Sequence, residues 1–188
     1  MESNLFLINE MNKNVLIEYL RIESFKYGFN NYFSYILARL AGTESERVFR
    51  FIIVLRLCEY FGSRKGLINR LLFFCFKLKK SRLGTRYMIK IPEYLCNKGL
   101  YITHLTGGIL LNASKIGNNF TCNSGVQIGY AGKHENKPAI GDNVTFCSGA
   151  KAYGGIHIGN NSVVLANSVV TSDVCDNAVV GGIPAKPV

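Results

Sequence analysis

Hydrophobic spacing divides the chain into two parts. Over the first 85 or so residues the apolar positions recur at mixed three- and four-residue intervals, the spacing of helices. The pattern predicts helices over 14–27 and 31–40, a third over about 44–61 ended by Gly62, and a fourth over about 65–80 that ends before Gly84. Thr43-Glu44-Ser45-Glu46 has the form of a capping box, in which a Thr hydroxyl and a Glu carboxylate each cover an orphan backbone amide. From Leu110 onward the period is six. The chain reads LLNASK, IGNNFT, CNSGVQ, then IG with a longer excursion, and resumes as IGDNVT, FCSGAK, AYGGIH, IGNNSV, VLANSV, VTSDVC. First positions (Leu110, Ile116, Cys122, Ile128, Ile140, Phe146, Ala152, Ile158, Val164, Val170) are expected to point inward. Fifth positions, such as Ser114, Val126, Val144 and Ala150, are small or branched, and Gly, Asn and Asp gather between the two, where corners need positive φ.

A short fixed repeat of this kind marks a β-solenoid. Three hexads close a triangular coil of 18 residues, and successive coils stack at the strand spacing of about 4.8 Å. The expected architecture is mainly β, a parallel β-helix over 86–188 preceded by an α-helical region over 1–85. Only the step from Ile128 to Ile140 breaks the count, through the excursion Tyr130–Pro138.

Charge sharpens the picture of the helical half. The 188 residues carry a net +10, but between Arg47 and Lys90 twelve Lys or Arg face the single acid Glu59, leaving the rest of the chain near neutral. The cations sit on helices that also carry Phe and Leu. A solvated face, an anionic membrane surface and a phosphorylated substrate all fit such a region, and nucleic acid ranks last without a nucleic-acid module around it. The composition excludes a disordered tail, and the longest apolar runs are far short of the ~18 residues of a membrane span. The N-terminal sequence lacks a basic segment followed by an apolar one, so no secretory leader is expected. The six cysteines show no CxxC pairing, which points to reduced core thiols in a cytoplasmic protein, possible peripheral contact with the inner membrane face aside, and to no metal.

Three segments carry a family resemblance: IPEYLCNKGLYITHLTGGILLNASKIGNNFTCNSGVQIG, the later IGDNVTFCSGAKAYGGIHIGNNSVVLANSVV, and the closing VVGGIPAKPV. They resemble the serine acetyltransferase branch of the hexapeptide-repeat acyltransferases, and more narrowly the shorter enzymes of capsule and exopolysaccharide biosynthesis. The likeness covers 88–188 well, 47–86 loosely and 1–45 not at all. It implies a left-handed β-helix, a homotrimer with acetyl-CoA as donor, and His104 as the general base, the side-chain type whose pKa suits proton abstraction near neutral pH. It also places Ser148 and Ala166 along the pantetheine arm and Lys186 near the donor's phosphates. Thr103, in place of the family's carboxylate before the His, is assigned with His134 and Glu135 of the excursion to the acceptor. His157, before an Ile-Gly corner, reads as exposed surface.

The acceptor follows from charge. Serine carries an ammonium and a carboxylate, and the positions where relatives place acids hold Lys90 and Thr103, while Asn136-Lys137 stands where they carry an Arg-His pair. A cation facing the substrate ammonium costs affinity. The expected function is therefore O-acetylation of a saccharide hydroxyl, of a capsule, exopolysaccharide, O-antigen or lipid-linked precursor. Serine O-acetylation is the alternative within the same chemistry, and a non-catalytic β-helix scaffold the alternative of another class. A zinc hydratase is excluded because the three histidines lie 30 and 23 residues apart.

Overall fold

The computed structural model describes residues 11–132 and 136–188, which fall into two compact units that divide between Tyr87 and Met88.

The first unit holds four helices: α1 (Lys13–Lys26), α2 (Tyr32–Leu40), α3 (Glu44–Gly62) and α4 (Leu67–Tyr87). Thr43 caps α3 by accepting from the Glu46 amide at 3.3 Å. The expected reciprocal half is missing, because the Glu46 carboxylate turns to Arg50 and to the Tyr35 hydroxyl. A full capping box forms instead at Asn31–Ser34. The fourth helix runs seven residues past its expected end. Gly84 is buried within it, and a helix-interior glycine, costing about 1 kcal/mol relative to alanine, does not stop a helix that packs. It ends at Met88, whose φ of +57° is the left-handed conformation that terminates many helices.

α3 is the centre of this unit. Val48, Phe51, Ile52, Val54, Leu55 and Cys58 are buried, and its N-terminal half meets an aromatic cluster of Tyr27, Phe29, Tyr35 and Phe49. Among these apolar side chains lies Arg56, fully buried, with its guanidinium 2.6 Å from Glu23 and 2.9 Å from Glu59. Burial pulls the Arg56 pKa down, but the two carboxylates outweigh this and hold it well above the ordinary arginine value. The expectation that Arg56 belongs to a basic surface is thus corrected. It and Glu59 lie in the core of the unit, whereas Arg47, Arg64, Lys65, Arg70, Lys77 and Lys79 are exposed.

The second unit is a parallel β-helix of about four coils. One face stacks β1 (Ile89–Lys90), β3 (Ile109–Leu111), β6 (Gln127–Gly129), β9 (Lys151–Tyr153) and β12 (Val169–Val170). A second stacks β4 (Lys115–Ile116), β7 (Ala139–Ile140) and β10 (His157–Ile158). The third stacks β2 (Tyr101–Ile102), β5 (Thr121–Cys122), β8 (Thr145–Phe146), β11 (Val163–Val164) and β13 (Val179–Gly182). On that third face β14 (Ala185–Pro187) folds back antiparallel on β13 and closes the end.

Inward side chains form the ladders the hexads predict. Ile102, Cys122, Phe146, Val164 and Val180 line one face, and Ile116, Ile140 and Ile158 another, all buried. Burial pushes the Cys122 thiol up to about 12, since this ladder offers nothing to stabilise a thiolate. The expectation of core thiols holds for Cys58, Cys96 and Cys122, while Cys147 is half-buried and Cys75 and Cys175 are exposed.

The corner between the second and third faces explains the Ile-Gly-Asx-Asn motif. Asn119, Asn143, Asn161 and Asn177 all take positive φ and pass a side-chain amide bond from coil to coil at 3.0, 2.9 and 3.0 Å. The Asp142 and Asp176 carboxylates each accept from the backbone amide of the coil before, at 2.7 Å. Gly141 sits where a Cβ would come within 2.9 Å of the Asn160 amide, so this corner stacks only without a side chain there.

The first coil departs from the expected phase. Leu111, not Leu110, pairs with Ile128 and is fully buried, and Ser114 is exposed while Ala113 is buried. Counting back in sixes from Ile116 lands on Leu110, but the corner after β3 is one residue short.

Candidate active site

The phase shift is what places His104. Ile102 pairs with Cys122, which aligns Thr103 with Asn123. On the far side of the corner, Gly107 stacks on Gly125, where a Cβ on either would crowd the next coil's backbone at 3.3 to 3.5 Å. Three residues, His104, Leu105 and Thr106, therefore stand where the next coil has Ser124 alone. The surplus has to leave the prism, and His104, at its start, is exposed. A residue that the hexad count would turn inward is thus carried out at the corner between the third and first faces.

Thr103 anchors the bulge. Its amide donates to the Cys122 carbonyl at 3.1 Å and its hydroxyl to the Asn123 side-chain carbonyl at 2.5 Å. With the hydroxyl engaged by Asn123, Thr103 holds the strand end from which His104 departs. Asn123 escaped the sequence reading. The signal that finds it is the twenty-residue register from Tyr101 to Thr121, visible only once the first coil has been closed.

Ser148 and Ala166 lie on the same corner. The strand registers continue Ser124 to Ser148 and Ala166 on successive coils. The Gly149 amide donates to the Ser124 carbonyl at 2.8 Å, the Asn167 amide to the Ser148 carbonyl at 2.9 Å, and the Ser124 and Ser148 hydroxyls are 3.5 Å apart. Neither the Ser148 nor the Ala166 amide has an acceptor among the described residues. Small residues with open amides make an edge that a ligand backbone can follow.

Lys186 closes the column. It pairs with Gly181 across the terminal hairpin, and Gly181 continues the register of Leu165, the residue before Ala166. The Gly182 amide, bonded to the Ser168 hydroxyl at 3.1 Å, ties that hairpin to the same corner. From the strand carrying His104 to the strand carrying Lys186 are five strand spacings, roughly 24 Å at the usual separation. One corner thus brings together His104, Ser148, Ala166 and Lys186, with an imidazole at one end and an ammonium at the other.

The excursion leaves the corner between the first and second faces, its feet tied by the Gly154 amide to the Gly129 carbonyl at 3.2 Å and the Ser114 amide to the Pro138 carbonyl at 2.8 Å. His134 and Glu135 lie outside the described residues. His157 is exposed, and its amide donates to Asp173 at 2.8 Å.

No family model matches the chain. A serine acetyltransferase of Staphylococcus aureus (strain Mu50) is 43% identical over 95 residues, 50% of this chain and 45% of that protein. One of Bacillus subtilis (strain 168) is 36% identical over 127 residues, 65% of this chain and 58% of that protein. Among solved structures, Neisseria gonorrhoeae serine acetyltransferase superposes with a TM-score of 0.67 and 28% identity, covering 94% of this chain and 66% of that one. A serine acetyltransferase in complex with CoA superposes with a TM-score of 0.59 and 25% identity, covering 76% of this chain and 57% of that one.

The fold and its repeat define a hexapeptide-repeat protein. Within that class it is related to the serine acetyltransferases, and it spans about half the length of the curated relatives it matches.

The saccharide acceptor is corrected on the same finding, since the matching proteins bear the name of the alternative, serine acetylation. The charge argument behind the saccharide assumed that Lys90 and Thr103 both face one acceptor. The structure sets Lys90 on the first face, paired with Leu110, and Thr103 at the end of the third with its hydroxyl on Asn123. A charge on one face is a poor guide to a pocket read from another.

Proposed function

We propose that the protein is an acetyl-CoA-dependent serine O-acetyltransferase with His104 as general base. The observation that carries this is the corner bulge, which exposes His104 at the head of a column of small residues with open amides in a solenoid related to serine acetyltransferases. The imidazole takes the proton of the serine hydroxyl as its oxygen attacks the thioester carbonyl. A carbon–oxygen bond forms, the tetrahedral oxyanion collapses, and the carbon–sulfur bond breaks. The imidazolium then gives its proton to the departing thiolate, leaving O-acetylserine and CoA.

The donor lies along the corner, with the Ser148 and Ala166 amides on the carbonyls of its pantetheine arm and Lys186 on its phosphates. Such backbone contacts demand small side chains rather than particular ones, which accounts for Ser at one position and Ala at the next. Thr103 supports the base through the strand end, and His134 and Glu135, on the excursion of a neighbouring prism, meet the acceptor. A homotrimer, with donors between neighbouring prisms, is the assembly the resemblance implies.

Thiol release from acetyl-CoA, followed with and without L-serine, tests the reading. Serine-dependent release with O-acetylserine as product is expected. No stimulation by serine, with release driven by another hydroxyl compound, would remove the acceptor assignment.

A further inference from the structure

α4 has two apolar faces. Leu72, Phe76 and Leu83 are half-buried and Tyr87 is buried on one, where Phe76 stacks on Phe61 of α3 at 5.4 Å between ring centroids. The other is open. Leu67, Leu71, Phe74 and Leu78, at i, i+4, i+7 and i+11, form a single stripe that is 83, 63, 58 and 47% exposed. Ile68 and Cys75 widen it. An apolar stripe of this length in water is a surface that is covered in use.

The surroundings of the stripe say by what. Helical geometry sets Arg70 and Lys77 along one edge and Lys79, Arg82 and Arg86 along the other, all exposed. Nine Lys or Arg and no acid lie between Glu59 and Glu93. A second copy of the chain would bring two rows of cations together, which like-charge repulsion disfavours. A nucleic acid or free phosphate would satisfy the cations and leave the leucines in water. An anionic bilayer satisfies both, taking the stripe into the acyl boundary and the cations among headgroup phosphates.

We propose that α4 docks in the plane of an anionic lipid surface through Leu67, Leu71, Phe74 and Leu78, held by the flanking arginines and lysines. The helix lies on the membrane and does not cross it, because among the described residues no helix is long and apolar enough to span one. This inference stands independently of the acetyl-transfer chemistry.

Cosedimentation of the full chain with vesicles tests it, comparing phosphatidylcholine alone with equal parts phosphatidylcholine and phosphatidylglycerol. Binding to the mixed vesicles, little to the neutral ones, and weakening as salt rises are expected. The triple variant Arg70→Gln, Lys77→Gln, Lys79→Gln should lose on the order of 100-fold in affinity. The variant Leu71→Asn, Phe74→Asn, altered only at exposed positions and checked for native circular dichroism, should lose about 10-fold or more. Equal binding to both vesicles, or to neither, overturns the proposal. So does binding that follows charge but ignores the apolar variant, the mark of adsorption to any polyanion. A change of oligomeric state in the apolar variant, read by light scattering without vesicles, would assign the stripe to a second copy instead.

Discussion

The helical unit and the β-helix arrange their side-chain polar contacts by opposite means. In the helices they are drawn into the interior, chiefly as a guanidinium with two carboxylates, each dependent on the others, with the buried Glu46 and the half-buried Arg50 as a second pair. In the β-helix they are spread along an exposed corner, where amides and carboxylates hand single hydrogen bonds from coil to coil. The Ser162 hydroxyl, fully buried, is satisfied in the same local way, by the Gly159 carbonyl at 2.7 Å. Concentrated burial makes one residue indispensable. Distributed contacts make each replaceable, and another corner of the prism carries the bulge at His104 without loss of the ladders on either side.

The largest test of this contrast is Arg56→Met. It removes the cation and leaves Glu23 and Glu59 buried with like charge, and breaking such a pair from one side costs about 3–5 kcal/mol. Denaturant unfolding should show a loss of that order. A loss under about 1 kcal/mol would mean that the carboxylates find water, and that the cluster is not concentrated in the sense argued.

Asn161→Ala should cost less, about 1–2 kcal/mol, from a broken link in the amide ladder and an alanine forced to positive φ. Asn161→Gly keeps the backbone conformation and should recover part of that loss. If alanine and glycine destabilise alike, the corner is held by the ladder alone and the left-handed conformation adds nothing.

The smallest is Thr43→Ala, which removes the N-cap of α3 at about 1 kcal/mol. Because the Glu46 carboxylate serves Arg50 and Tyr35 and does not close the box, Glu46→Gln should destabilise through those contacts and add to Thr43→Ala without coupling. A coupling of about 1 kcal/mol in the double-mutant cycle would restore the reciprocal box that the sequence suggested.

The repeat was legible because every coil solves the same local problem, so the same residue types recur at the same interval. What it could not show was the phase of the first coil. There the one residue missing before Ile116 puts a count by sixes one off at Leu111, and the three surplus residues, two at 104–106 and one more before Leu111, leave it two off at Ile102. The helices were legible from their spacing, but Arg56 read as one more cation in a basic run and Glu59 as its lone exception. Only folding shows that these two neutralise each other inside the core with Glu23, fully thirty-three residues away from Arg56. His104 was found through resemblance, and its neighbour Asn123 was hidden because their proximity is a matter of register.

The central claim is that the bulge exists to present His104 to a hydroxyl. His104→Ala, assayed for acetyl transfer from acetyl-CoA to L-serine, tests it most directly. His104 is exposed, so the variant should unfold at the same denaturant midpoint as the parent and lose at least about 10²-fold in kcat. Near-parental turnover in that folded variant would contradict the account, and the base would have to be sought elsewhere.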